Sequence, residues 1–343
     1  MKLLFIIISC ILTLIIINFF FRKFNFLLDI KKIPHKSFAS KDTVPLTGGF
    51  ILVIILFFLD YNNIYLIFFL LIFFLGVFAD LYIIVSPLKK LIFQFIIVFF
   101  SLYLLEINII TTKIFFIDYF IENKIFSILF STFCLLILIN GTNFIDGINT
   151  LVVGYYILIF SVILYIGTKN SLLYSFNNNY YLFFCLLVIY IFNFFSKNYL
   201  GDSGSFLLAF VTGLNLISLC NDNLNLSKPV SPIFILLLLW YPAFENLFSI
   251  IRRLTNKINL SNPDNFHLHH LLFMFIKRYF NNKIANKYIN SLTGTIINFY
   301  NSIIFILASQ IYFYTNYLSY LVLLNIFIYL FSYYFLIKYR SKF

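Results

Sequence analysis

Asn140, Asn143, Asp146 and Asn149 stand three residues apart in the run Asn140-Gly141-Thr142-Asn143-Phe144-Ile145-Asp146-Gly147-Ile148-Asn149. In helical geometry that spacing puts amides and acid on one stripe. Two more acids, Asp80 in Gly76-Val77-Phe78-Ala79-Asp80 and Asp202 in Leu200-Gly201-Asp202-Ser203-Gly204-Ser205, lie at the ends of other apolar runs. Carboxylates brought together repel one another, and a hard divalent cation between them relieves the repulsion. Mg²⁺ is the expected ion, with Mn²⁺ as its substitute, because it takes oxygen ligands and shares its shell with substrate phosphates. The other concentrated signal is His267, His269 and His270, three of only four histidines, downstream of Arg252 and Arg253. With no acid or cysteine partner nearby they make a weak zinc pattern; beside the arginines they read as donors to an anion, most naturally phosphate. Plainer readings stand next to these. A lone Asp at the end of a span is usually a solvated cap, as Asp202 would be for the run it heads, and a basic loop is also attracted to acidic lipid.

The elements that must position these groups are membrane spans. The chain has 343 residues, 62% hydrophobic and 10% charged, with a mean hydropathy of +0.98, whereas a soluble domain has roughly 45 to 50% apolar and about 25% charged residues. That excludes a soluble protein and predicts an all-α, polytopic membrane bundle of about 11 spans of roughly 20 residues, forming a single domain over 1–343. The spans are placed at 3–21, 46–60, 64–80, 91–106, 125–140, 150–167, 180–195, 204–220, 230–251, 295–314 and 318–337, with 252–294 as a loop carrying the histidines. Assigning alternate loops to opposite sides gives one side 19 of the 24 basic residues, from Arg22 and Lys23 to Lys338, Arg340 and Lys342. The other side holds Lys2, Lys113, Lys124, Lys169 and Lys228. The positive-inside bias therefore puts the N-terminus outside and the C-terminus in the cytoplasm. It also accounts for the net charge of +12 without nucleic acid as a partner.

Cys10, Cys134, Cys185 and Cys220 all fall in apolar runs without CxxC or Cys/His spacing, and so indicate neither metal nor disulfide. The first 21 residues read as a span rather than a signal peptide, since the run is long and ends in Phe19-Phe20-Phe21-Arg22 without small residues for cleavage. The 49 Phe and 25 Tyr suit lipid as well as Leu does and mark no aromatic site.

With this topology the polar segments converge on the cytoplasmic face. They are Pro34-His35-Lys36-Ser37 with Pro45-Leu46-Thr47-Gly48-Gly49, Asp80 with Ser86-Pro87-Leu88-Lys89, the Asn140–Asn149 run, the Asp202 run, and Pro242-Ala243-Phe244-Glu245 through Arg252-Arg253 to Pro263-Asp264-Asn265-Phe266-His267-Leu268-His269-His270. In this order the set resembles the polyprenyl-phosphate N-acetylhexosamine-1-phosphate transferases (glycosyltransferase family 4), which include the undecaprenyl-phosphate GlcNAc-1-phosphate transferase and the phospho-MurNAc-pentapeptide transferase. The resemblance runs from Pro34 to His270.

That resemblance implies transfer of a HexNAc 1-phosphate from a UDP-sugar, UDP-GlcNAc being expected, to undecaprenyl or another polyprenyl phosphate. UMP is released, and the product starts a cell-envelope glycan such as a lipopolysaccharide O-antigen at the bacterial inner membrane. It implies Asn143 and Asp202 as metal ligands, Asp146 as an acid needed for activity, and Asp80 as the group that deprotonates or orients the lipid phosphate. Lys89 is expected on that phosphate, His267 and His269 on the diphosphate with His270, Arg252 and Arg253 beside them, Asn149 near uracil, and Tyr199 stacked on it. Three positions depart from the pattern: Ala79 where a second acid is common, Leu46 where a basic residue is common, and Asn149 where some branches have an acid. Direct attack by the lipid phosphate is preferred over a covalent aspartyl intermediate, because a phosphate oxyanion is already nucleophilic at neutral pH. The alternatives are a non-catalytic or transport protein on the same scaffold and the pentapeptide transferase activity. Transporters place ionisable groups near mid-bilayer, whereas the middles of these spans are almost uncharged. A homodimer is the one self-association envisaged.

Overall fold

The computed structural model describes residues 2–29, 43–59, 61–169, 176–224, 226–257, 266–280 and 283–341. Pro34-His35-Lys36-Ser37 and Pro263-Asp264-Asn265 fall outside them. The described residues form helices α1 (Lys2–Lys23), α2 (Gly48–Phe57), α3 (Asn63–Asp80), α4 (Pro87–Leu105), α5 (Phe115–Ile121), α6 (Lys124–Ile145) and α7 (Leu151–Lys169). They continue with α8 (Phe176–Phe194), α9 (Gly201–Asp222), α10 (Pro232–Leu238), α11 (Trp240–Thr255), α12 (Leu268–Tyr279), α13 (Asn286–Gln310) and α14 (Thr315–Ser341). The protein is a polytopic membrane helix bundle. Eight of these helices are long and apolar enough to cross a membrane, and α10 and α11, bent by 72°, form a broken span or a re-entrant loop.

Each of the eleven expected runs is helical, but three differ from straight full-length spans, the run 180–195 being one of the shorter apolar helices, Asn178–Phe194. The run 46–60 yields only the ten residues of α2, about 15 Å of helix against a hydrocarbon core of about 30 Å. Its start is fixed from outside: Leu46 pairs with Tyr199 as an isolated bridge, and Thr47 donates to Asn18 on α1 at 2.7 Å. The run 230–251 breaks at Leu239. Pro242 has no N–H for the carbonyl of Leu238 four residues back, and the buried Tyr155 hydroxyl takes that carbonyl at 2.8 Å, as backbone inside a membrane requires. The region 252–294 contains α12, packed against α13 and α14, as well as connecting segments.

The centre of the bundle is α9, 89% buried over its apolar window. Its neighbours approach through glycines, which is how membrane helices gain close van der Waals packing. A Cβ on Gly76 of α3 would lie 2.3 Å from Ser203 Cα, and one on Gly49 of α2 would lie 2.6 Å from Gly204 N. These contacts press the C-terminal end of α3 against the N-terminal end of α9, where Asp80 and Asp202 lie.

Candidate active site

Asp202 is in the first turn of α9, which begins at Gly201 with φ +74°. A β-carbon at Gly201 would be strained by that φ and would meet Asp80 Oδ2 at 2.8 Å. Asp80, the last residue of α3, accepts the backbone N–H of Asp202 at 2.8 Å and of Ser203 at 3.0 Å. Its carboxylate therefore caps α9, whose N-terminal N–H groups and dipole favour an anion. Asp202 has two further partners: Asn143 Nδ2 donates to Oδ1 at 2.8 Å, and Lys90 Nζ pairs with Oδ2 at 2.9 Å. Asn143 Nδ2 also reaches Ser205 Oγ at 3.2 Å. Two carboxylates are thus tolerated side by side because a helix terminus, an amide and an ammonium surround them.

Asn143, Asp146 and Asp202 line one cavity of about 260 Å³, together with Tyr199, Asn149, Arg253, His267 and His270. It opens at the end of the bundle where α3, α6 and α11 finish and α4, α9 and α12 begin. Asp146 is the C-cap of α6 and half-buried. The expected helical stripe holds only in part. Asn140 donates to Gln94 of α4 at 2.9 Å, away from Asp202, and Asn149 reaches the cavity because the chain leaves the helix at Asp146 and turns through Thr150 at φ +66°. Asn149 is anchored by Asn290 Oδ1, which accepts its N–H at 3.0 Å, and by Ser196 Oγ, 2.7 Å from its Nδ2.

Arg253, 6% exposed, lies over the Phe144 ring at 5.8 Å. His267 is the N-cap of α12, and its Nδ1 is 2.9 Å from Glu245 Oε1. The His270 ring packs on Gly147, where a β-carbon would be 2.9 Å from its Cε1.

Four expected residues lie elsewhere. Lys89 is exposed; Lys90 is the lysine that reaches Asp202. The signal was available, because Gln94, Val98, Ser101 and Leu102 are the buried face of α4, and Lys90 precedes Gln94 by one helical turn. Arg252 binds Tyr333 Oη at 3.1 Å, Ser249 Oγ at 3.3 Å and the carbonyl of Phe266, and so ties α11 to α14 rather than facing the cavity. His269 is fully buried with no partner on either ring nitrogen. Desolvation, reinforced by His270 and His267, holds it well below the usual histidine range. It packs against the rings of His267 and His270 and is not among the residues that line the cavity. Asp80 stands beneath α9, outside the cavity lining, with both oxygens engaged by backbone, so it orders Asp202 instead of reaching a lipid phosphate.

Four polar residues with a place in the site had no expected role: Asp29, Lys90, Asn193 and Asn290. Both asparagines are buried and line the cavity. Asn193 Oδ1 accepts the N–H of Thr150 at 2.5 Å. Lone amides near the ends of apolar runs gave the sequence no cue for either.

A second, almost wholly apolar cavity of about 350 Å³ lies along α6, α9, α10 and α11 beside the break, lined by Ile137 and Leu138 of α6 and Leu247 of α11. Asn143 and Arg253 on the polar cavity are each six residues farther along, after Ile137 and Leu247, or about 9 Å of helix. The same two helices therefore carry a charged site and an apolar one in succession.

A model of glycosyl transferase family 4 matches residues 62–220. The chain is 32% identical over 138 residues to the probable undecaprenyl-phosphate N-acetylglucosaminyl 1-phosphate transferase of Bacillus subtilis (strain 168), covering 40% of this chain and 37% of that protein. It is 26% identical over 243 residues to the undecaprenyl-phosphate alpha-N-acetylglucosaminyl 1-phosphate transferase of Thermotoga maritima, covering 69% of this chain and 71% of that protein. Only about a third of the Bacillus relative's length is thus spanned. The matched residues 62–220 hold Asp80, Lys90, Asn143, Asp146 and Asp202 on one framework, so it is in this part of the chain that the similarity to glycosyl transferase family 4 lies.

Proposed function

We propose that this protein transfers a HexNAc 1-phosphate from a UDP-sugar, UDP-GlcNAc being preferred, to undecaprenyl or a related polyprenyl phosphate, starting a cell-envelope glycan. The observation that carries the proposal is the cavity itself, with Asp202 and Asn143 on one wall and Arg253, His267 and His270 on the other. An acceptor phosphate oxygen attacks the β-phosphorus of the donor; the bond from that phosphorus to the bridging oxygen breaks, and UMP leaves. Both reactants are anions, so holding them together against their repulsion is the main task. Arg253, His267 and His270 are the donors for the diphosphate. The apolar cavity along α6 and α11 suits the isoprenoid chain, leaving its phosphate at the polar end. The site end of the bundle is read as cytoplasmic, since Lys90, Lys197, Arg252, Arg253, Lys277, Arg278, Lys338 and Arg340 gather there.

A divalent cation fits the oxygen donors of Asp202 and Asn143. Asn143 uses its Nδ2 on Asp202 and Ser205, which leaves the amide oxygen as its remaining donor. Among the described residues no three His, Cys, Asp or Glu side chains gather on one metal position. Mg²⁺ keeps waters and shares substrate phosphates, so few protein ligands suffice for it. When bound, it would neutralise charge developing on the phosphates. Lys90 neutralises Asp202 in the structure and must yield Oδ2 if that oxygen is to serve a cation.

Asp202→Asn should abolish UMP release from UDP-GlcNAc that depends on both Mg²⁺ and polyprenyl phosphate, assayed with the purified protein. Release independent of the lipid phosphate, or undiminished in Asp202→Asn, would overturn the reading.

A further inference from the structure

Glu245 is the one carboxylate with no exposure among the described residues, and it lies outside the cavity lining. A buried carboxylate is costly unless hydrogen-bonded. Here each oxygen has a partner from a different helix: Tyr329 of α14 donates its hydroxyl to Oε2 at 2.7 Å, and His267 Nδ1 meets Oε1 at 2.9 Å. If the carboxylate is ionised it only accepts, and Nδ1 is then the donor. The ring that Glu245 holds in this way lines the cavity. The imidazole is also held from the sides, by the Phe144 ring at 5.6 Å and by the nearly parallel His269 ring at 5.4 Å and 14°.

Resting on the reading of the cavity as a sugar-nucleotide site, we propose that Glu245, steadied by Tyr329, is a positioning residue for the donor. It acts through His267, fixing the tautomer and direction of the ring so that Nε2 meets the diphosphate beside Arg253. It also supplies the countercharge when Nε2 is protonated against that anion. A carboxylate that accepts the far N–H of a metal-binding histidine does the same there; here the ligand is an anion. This gives His269 a use as well: an unprotonated flat ring that supports His267 without competing for Glu245.

The test uses the full-length protein in lipid nanodiscs, with ¹⁵N-labelled histidine. The four histidines are assigned by single replacement with Gln. In the wild type the His267 Nδ1 resonance is that of a protonated, hydrogen-bonded nitrogen; in Glu245→Gln the ring loses that preference. In donor kinetics Glu245→Gln raises KM for the UDP-sugar about 10-fold or more and leaves the acceptor KM within about 2-fold. Glu245→Asp recovers part of the loss. The double variant with His267→Gln is no worse than His267→Gln alone, as expected for two residues acting in series. An unchanged His267 tautomer in Glu245→Gln, or multiplying effects in the double variant, would overturn the assignment. Should Glu245→Gln fail to accumulate, Tyr329→Phe decides the same question: a donor KM raised a few-fold supports the proposal, and an unchanged one defeats it. If the wild type turns over no UDP-sugar at all, the transferase reading fails, while the resonance of His267 still shows whether Glu245 sets its tautomer.

Discussion

The two walls of the polar cavity are held by different means. The acidic wall is built on backbone: Asp80 accepts two N–H groups at the start of α9, and Gly76 and Gly49 bring α3 and α2 against that turn. The basic wall is built on side chains reaching between helices, from Glu245 and Tyr329 to His267 and from Arg252 to Tyr333. One wall is therefore as rigid as the packing of α9. The other depends on the docking of α12 and α14. For the proposed transfer this suits a fixed place for charge on one side and selective contacts to a donor on the other.

The comparison breaks most sharply at Asp202. Asp202→Asn keeps the shape but removes the anion, and turnover should fall by about 10³-fold, the scale of losing a main electrostatic group; folding, followed by thermal shift, should change little. Gly76→Ala tests the backbone character of the same wall. Its β-carbon would press on Ser203 backbone, so the midpoint of unfolding should fall by the equivalent of about 1–3 kcal/mol, with activity lost in proportion. A smaller and more specific effect is expected at the lysines. Lys90→Gln removes the ammonium from Asp202 and should tighten Mn²⁺ binding about 3- to 10-fold by electron paramagnetic resonance while slowing transfer. The exposed Lys89→Gln carries the same charge change and should alter Mn²⁺ affinity by less than about 2-fold. Equal effects from the two would show a general field in place of direct competition.

The smallest effect concerns the basic wall and pH. His269 is held well below its ordinary value, first by desolvation and then by His270 and His267, so below about pH 6.5 the unfolded chain binds a proton that the folded one refuses. The corresponding stability is fully present above that pH and is lost as pH falls toward the folded-state value. Thermal midpoints measured between pH 8 and pH 5 should therefore drop less in His269→Phe than in the wild type. An identical drop would mean that His269 takes up its proton in the folded state as readily as in the unfolded one.

Much of the acidic wall could be read from the chain. Asp80, Asn143, Asp146 and Asp202 end or begin apolar runs, and alternating spans bring those ends to one face whatever the details of packing. The basic wall was legible only as residue types. His267, His269 and His270 are nearly adjacent, yet α12 aims the first and third at the cavity and buries the second. The same applies to Arg252 and Arg253, and to Lys89 and Lys90, where a step of about 100° around a helix separates a site residue from a structural or exposed one.

Composition and the lengths of the apolar runs determined that this chain is a membrane bundle and which helix ends meet, because lipid leaves the backbone no other choice and charge must stay near water. Only the tertiary structure decided which member of each polar pair enters the cavity, that Asp80 caps α9, and that Glu245 stands behind His267. Those outcomes depend on helix rotation and on contacts between residues as distant as Glu245 and Tyr329, and neither leaves a mark in local sequence.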